Sequence, residues 1–233
     1  MPCQPRLELP GVPMHVTQRG VNRGAIFLDD TDRHHYRYVL RAACRHYRVA
    51  IHAFVLMDNH VHLLLSSPEA GDISAAMRAS GQAYVQAFND RHGRTGPLWQ
   101  GRFKSSLVGS DDYLLQVIRY IELNPVRAAM VDDPAAYRWS SVHTHLGRAQ
   151  DPLLQPHPVF LALGSDPAAR AAAYQCWLQA GVCDEEIQAI RRHLVQERAL
   201  GNKRFQRMIE TTLNRPAACH GRGRPRIVKA ERN

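Results

Sequence analysis

Along the first half of the chain the spacing of apolar residues switches repeatedly between period two and a helical period. VPMHVTQRG (12–20) alternates and ends on a glycine, as a half-buried strand does. DDTDRHHYRYVLRAACRHYR (29–48) opens on acids and carries an apolar stripe at Tyr36, Val39, Leu40, Ala43 and Tyr47, which predicts a helix. VAIHAFVLM (49–57) and HVHLLLSS (60–67) are β-rich runs separated only by Asp58 and Asn59, the spacing of a tight antiparallel hairpin. GDISAAMRASGQAYVQAFNDRHG (71–93) returns to helical spacing and stops at Gly93, and FKSSLV (103–108) reads as a short strand after a Gly/Pro-containing loop. SDDYLLQVIRYIELNP (110–125) is a further helix, with Ser110 or Asp111 to cap it and Pro125 to end it.

The first six of these elements follow the β-α-β-β-α-β order of an α+β, ferredoxin-like sandwich. In that fold helices cover one face of an antiparallel sheet and leave the other available for function. Beyond about residue 150 the Pro-rich DPLLQPHPVF gives way to two helical stretches, 166–181 and 183–201, with no strand pattern. The expected organisation is a main domain over 1–150, a helical extension over 151–202 and a basic, flexible tail over 203–233.

Composition narrows the class. Of the 233 residues 45% are hydrophobic and 22% charged, as in a soluble globular protein. No apolar run approaches the roughly 20 residues that span a bilayer, and MPCQPRLELPG lacks the apolar centre of a signal peptide, so the expected location is the cytoplasm, with the nucleoid. The cysteines Cys3, Cys44, Cys176, Cys183 and Cys219 are scattered without a CxxC pair and read as reduced thiols. The formal net charge is +9, and seven of those charges fall within 201–233. This distribution suggests a polyanionic partner and a basic arm.

In DNHVHLLLSS (58–67) the two histidines are i and i+2 on a strand, so His60 and His62 project to the same side. They are half of a metal site, or else polar residues on a solvated sheet face. His15 and His52 are possible partners on neighbouring strands. On the helix 110–125, Tyr120 and Asn124 are four residues apart and share a face. Asn124 would offer a neutral oxygen to Mg²⁺ or Mn²⁺, and Tyr120 would stand beside it as a nucleophile toward phosphate, its phenol needing help to ionise from a pKa of about 10. Asn before Pro is also an ordinary helix stop, and Tyr120 could be a core aromatic. Tyr113 and Tyr84 are rival nucleophiles. Spacing leaves the choice open.

DNHVHLLL followed by YIELNPVRA resembles the single-tyrosine HUH transposases, specifically the REP-associated tyrosine transposases, and HVTQRGVNR and GPLWQGRFKSSLV add to the likeness over roughly residues 5–147. The resemblance implies that His60 and His62 are metal ligands, Asn124 the third ligand and Tyr120 the nucleophile. It implies cleavage of single-stranded DNA beside hairpin-forming repetitive palindromes, through a 5′-phosphotyrosine and a free 3′-hydroxyl, with rejoining as the reverse step and no need for ATP. Relatives include monomers and domain-swapped homodimers. Three positions depart from the wider pattern: Asn124 where insertion-sequence relatives often have Gln, Asp58 where proline is frequent, and Glu122 where histidine is frequent.

For holding DNA, RHGRTGPLWQGRFK (91–104) presents Arg91, Arg94, Arg102 and Lys104 with no acid, interleaved with Trp99 and Phe103. These aromatics stack on bases or anchor the loop to the core. Arg19 and Arg23 are further phosphate contacts. In GRGRPR (221–226), Arg222 and Arg224 resemble the core of an AT-hook, the alternative being a solvated tail of nonspecific affinity. Two other classes compete. A histidine-triad hydrolase would need a third histidine where Leu64 stands. A noncatalytic DNA-hairpin-binding module would keep the fold without the adduct, and the intact set of His60, His62, Tyr120 and Asn124 favours the enzyme.

Overall fold

The computed structural model describes residues 6–109 and 111–220. Strands β1 (Met14–Arg19), β2 (Ala50–Met57), β3 (His60–Ser66) and β4 (Lys104–Leu107) form one sheet in the order β2-β3-β1-β4, every neighbouring pair antiparallel. Helix α1 (Asp30–His46) links β1 to β2, and α2 (Asp72–His92) links β3 to β4, giving the α+β sandwich that the periodicities predict. The Asp29 side chain caps α1 by accepting from the Asp32 N–H. Gly93 ends α2 at φ 60, a left-handed turn that glycine takes without steric cost.

Alternation splits each strand between two environments. On one face Val16, Phe54, Leu56, Val61 and Leu63 belong to the buried core under α1 and α2, where Gln18 lies against Gly81 and the Tyr84 hydroxyl donates to the Ile26 carbonyl at 2.5 Å. The opposite face carries His15, Thr17, His60 and His62, in register across β1 and β3. That face is not left open. Helix α3 (Asp111–Glu122) lies over it, because its own apolar side, with Leu114, Val117, Ile118 and Ile121 buried, needs a surface that α1 and α2 do not provide.

The chain after α3 departs from expectation in three places. The helix stops at Glu122, and Pro125 begins a further turn, α4 (Asn124–Arg127). A short helix α5 (Val142–His145) precedes the stretch 151–202, which comprises α6 (Pro158–Leu161), α7 (Pro167–Gln179) and α8 (Asp184–Gln196) and with α5 is called the extension below. Helix α8 ends five residues before the predicted end at 201, since Glu197 turns left-handed (φ 53) and Leu200 then pairs with β4: its N–H donates to Leu107 O, and Gly109 N–H donates to Leu200 O, both at 2.8 Å. The segment expected to be a flexible tail begins instead with α9 (Lys203–Leu213), whose Ile209 is fully buried and whose Phe205 ring packs on Gly109 and Gly201. Residues 221–233, with Arg222 and Arg224, lie outside the described residues.

One polar cluster ties the extension to the sandwich. The carboxylate of Glu122 is fully buried; it accepts from Ser141 Oγ (2.5 Å) and Tyr174 OH (2.6 Å) and bonds His145 Nδ1 (2.6 Å). Ser141 Oγ also accepts from the Phe54 N–H of β2 (3.0 Å). Burial beside this carboxylate raises the Tyr174 phenol well above its ordinary value, so Tyr174 stays a donor. Replacing Glu122 with Ala leaves Tyr174 and His145 without their acceptor and Ser141 with only its longer bond to Phe54 O (3.2 Å), and should lower unfolding free energy by about 3 kcal/mol, read as a shifted urea midpoint. An unchanged midpoint would mean that the cluster does not hold the extension in place.

Candidate active site

The two histidines reach their positions by different means. His60 opens β3 at the hairpin and is half-buried, with Nδ1 bonded to Asn59 Oδ1 at 2.7 Å. His62 is buried, and its Nδ1 meets His15 Nε2 at 2.9 Å. Both rings therefore use Nδ1 for support and keep Nε2 for a ligand. If His62 carries its proton on Nδ1, His15 must accept at Nε2 and hold its own proton on Nδ1, an atom buried with no partner. His15, raised above as a possible metal partner, thus orients His62. Burial depresses all three imidazoles: His60 to about 4, His15 to about 3 and His62 well below its ordinary value. They are neutral at pH 7, as metal ligands must be.

Asn124 owes its orientation to the proline after it. In a helix the Ile121 carbonyl would accept from the N–H of residue 125, which Pro125 lacks. The Asn124 amide fills in: Nδ2 donates to Tyr120 O (3.0 Å) and Ile121 O (3.3 Å). With the NH₂ group so engaged, Oδ1 is left for the cleft that Asn124 lines. Tyr120 lies one turn earlier, 3% exposed, its ring packed edge-on against His15 and His62 with centroids 5.7 Å from each. The Arg127 guanidinium sits 4.2 Å from the ring centroid on another side, and its Nη2 donates to Tyr120 O at 2.6 Å.

These groups border a cleft of about 710 Å³ lined by His60, His62, Tyr120 and Asn124 together with Arg19, Arg23, Arg102, Lys104, Arg127 and Arg191. Among the described residues no carboxylate lines it. Among the described residues no group of three His, Cys, Asp or Glu side chains could hold a metal, so any ion here needs a ligand of another kind, such as the Asn124 oxygen. The donor set of two neutral imidazole nitrogens and one amide oxygen, with open cleft beside it, fits a divalent ion that keeps positions for a substrate oxygen.

The other residues singled out above go elsewhere. Tyr84 is buried on the opposite face of the sheet, and Tyr113 packs against the core outside the cleft. His52 is tied at the far end of β2 to Gln155 O (2.7 Å) and Ser66 Oγ (2.8 Å). Arg91 is bound to Asp29 and Asp32, the acids at the start of α1, and does not face the cleft. Arg94 lies near the Phe88 ring. Phe103 is buried beneath the Arg6 guanidinium, 3.5 Å from its centroid. Trp99 donates Nε1 to Gly81 O (3.3 Å) among Tyr36 and Tyr84. Both aromatics thus anchor the loop, which is zipped to the end of β1 by Val21 N–H to Leu98 O (2.9 Å) and Gln100 N–H to Arg19 O (2.8 Å). That anchoring is what brings Arg102 to the rim. Sequence reasoning missed His15's supporting role, Arg127, although it lies within the quoted YIELNPVRA, and Arg191, for which no local pattern exists.

The chain is similar to several known proteins. The family model described as "Transposase IS200 like" matches residues 10–124. A putative REP-associated tyrosine transposase of Haemophilus influenzae is 29% identical over 122 residues, covering 46% of this chain and 67% of that protein. Among solved structures, a REP-associated tyrosine transposase bound to a REP hairpin superposes with a TM-score of 0.53 at 24% identity, over 68% of this chain and 93% of the other. A putative transposase from Deinococcus radiodurans R1 aligns over 52% of this chain and 95% of its own at 22% identity, with a TM-score of 0.37.

The depressed histidines make stability depend on pH. His15 (about 3) and His52 (about 4) resist protonation when folded, whereas in the unfolded chain they titrate near their ordinary 6.5. The unfolded state therefore binds more protons below pH 6.5, and stability, complete above that value, falls as pH drops toward 4. The loss should be about 1 kcal/mol per histidine for each pH unit, visible as a falling urea midpoint between pH 7 and pH 5. A midpoint flat across this window would contradict neutral burial.

Proposed function

We propose that the chain, whose residues 10–124 match the family model described as "Transposase IS200 like", is a metal-dependent single-stranded DNA endonuclease and strand transferase acting beside hairpin-forming repeats in DNA transposition. The observation that carries the reading is the convergence of His60, His62, Asn124 and Tyr120 on one cleft bordered by cations and, among the described residues, by no carboxylate. The hairpin substrate is taken over from the structural relative, which holds a REP hairpin.

His60 and His62 through Nε2, and Asn124 through Oδ1, would hold a divalent ion, Mg²⁺ or Mn²⁺. Such an ion, when bound, polarises the phosphoryl oxygens of a substrate. The chain's own groups do the rest. Arg19, Arg23, Arg102 and Lys104 bind the backbone of the strand and set its register on the cleft. The Tyr120 oxygen attacks phosphorus and forms a P–O bond; the bond to the 3′-oxygen breaks, the phenol proton is lost, and the departing oxygen takes up a proton to become a free 3′-hydroxyl. The phosphotyrosine keeps the phosphodiester's free energy, so another 3′-hydroxyl can reverse the step onto a new strand. Packing of the Tyr120 ring between His15, His62 and Arg127 holds the nucleophile in a fixed place beside the ligands.

The test is a denaturing gel of the purified protein with labelled single-stranded hairpin oligonucleotides and Mn²⁺ or Mg²⁺. A covalent adduct is expected with the wild type and none with Tyr120→Phe; an adduct that survives in that variant moves the role to Tyr113. Tight hairpin binding with no wild-type adduct would favour the noncatalytic module. His15→Ala, which frees His62 Nδ1, should raise the metal concentration needed for half-maximal adduct about 10- to 100-fold while leaving the maximum nearly intact. A wild-type metal requirement in that variant would remove His15 from the site.

A further inference from the structure

Two arginines that line the cleft with Tyr120 follow residue 124, where the family match stops. Arg127 comes from α4 and Arg191 from α8, so they belong to different parts of the chain and meet only through the fold. Helix α8 is held rigidly, with Ile190, His193 and Leu194 buried, yet Arg191 itself is exposed at the cleft. Arg127 is half-buried. One nitrogen, Nη2, is committed to Tyr120 O, while Nε and Nη1 are shielded from solvent with no acceptor. Burial, chiefly, and the nearby charge of Arg191 lower Arg127 to about 10. Neither makes an ion pair with a described residue. Holding two like charges together, one of them buried with spare donors, is unfavourable until an anion comes between them.

We propose that Arg127 and Arg191 form a phosphate subsite beside Tyr120, in which the helical extension and the catalytic turn together grip one phosphodiester of a bound single strand. The inference rests on reading the cleft as a DNA site. It gives the extension a part in binding as well as in covering the sheet, and it assigns the buried donors of Arg127 a partner that arrives with the substrate. A phosphate placed there lies next to the nucleophile, in the cleft that Arg19, Arg23, Arg102 and Lys104 also line. Because both arginines act on the same phosphate, their contributions are coupled rather than independent.

Affinity of the full chain for a labelled hairpin oligonucleotide with single-stranded flanks, measured across salt concentration, tests the subsite. Arg191→Gln should weaken binding about 10-fold and reduce the slope of log affinity against log salt by about 0.7, as for one lost single-strand phosphate contact. Arg127→Gln should do the same, Arg127→Lys should restore most of the binding, and the double variant should be little worse than either single. Wild-type affinity and slope in Arg191→Gln would overturn the proposal, as would losses that simply add in the double variant. Since Arg191 is exposed, its variant remains informative even where Arg127→Gln does not fold. The adduct assay separates this inference from the one beneath it. Arginine-dependent salt slopes without a tyrosine adduct would leave the subsite standing and remove the nuclease, whereas an adduct with unchanged slopes would do the reverse.

Discussion

The buried carboxylate of Glu122 fixes the roll of α3, and the site depends on that roll. A carboxylate with no exposure is tolerable only where its lone pairs are taken up, and here Ser141, His145 and Tyr174 supply the partners from beyond the helix. Positions two apart on a helix diverge by about 200°, so a helix that turns Glu122 toward these partners turns Tyr120 the other way, onto the histidine face of the sheet. Asn124 lies on the Tyr120 side by the i, i+4 relation. Arg119 adds a second tie, donating to Trp177 O (2.9 Å) and pairing with Glu186 of α8 (3.2 Å). The same extension that neutralises the buried polar groups of α3 thus determines what α3 presents to the cleft.

A second constraint acts at the end of the helix. Pro125 deprives the Ile121 carbonyl of its usual donor, and the Asn124 amide takes the place of that donor. A side chain committed in this way cannot rotate freely, so Oδ1 is pre-positioned. The bond between His62 Nδ1 and His15 does the same for the ring across the cleft, and Asn59 does it for His60. Each proposed ligand is therefore held through the atom that it does not offer. Such support is what limits the reorganisation needed when a ligand arrives.

How much of this was legible follows from the range of the interactions. Alternation is a local property, so the four strands, the hairpin at Asp58 and Asn59, and the shared side of His60 and His62 could all be read from neighbours in sequence. The i, i+4 pair of Tyr120 and Asn124 was readable for the same reason. Arg91 could not be placed, because it lies in a run without acids yet meets Asp29 and Asp32 about sixty residues away. Phe103 and Trp99 have the pattern of a base-stacking loop, but whether an aromatic faces solvent or Tyr36 and Tyr84 is settled by tertiary packing. The basic composition of 203–220 concealed an amphipathic helix whose Ile209 and Phe205 find their partners only once β4 is in place.

The distribution of charge gives these separate features one meaning. Away from the cleft the described arginines are commonly matched: Arg33 with Asp58, Arg37 with Asp151, Arg91 with Asp29 and Asp32, Arg138 with Asp30. These pairs cancel local field, the exposed ones such as Arg138 with Asp30 with little gain in stability. Along the cleft no described carboxylate answers Arg19, Arg23, Lys104, Arg127 or Arg191, and the imidazoles beside them are neutral because burial keeps them so. A protein with surplus positive charge could have spread it evenly over its surface. Here cations line the cleft where a phenol, two free imidazole nitrogens and an amide oxygen converge, so the field that attracts a polyanion also delivers it to the proposed nucleophile and ligands.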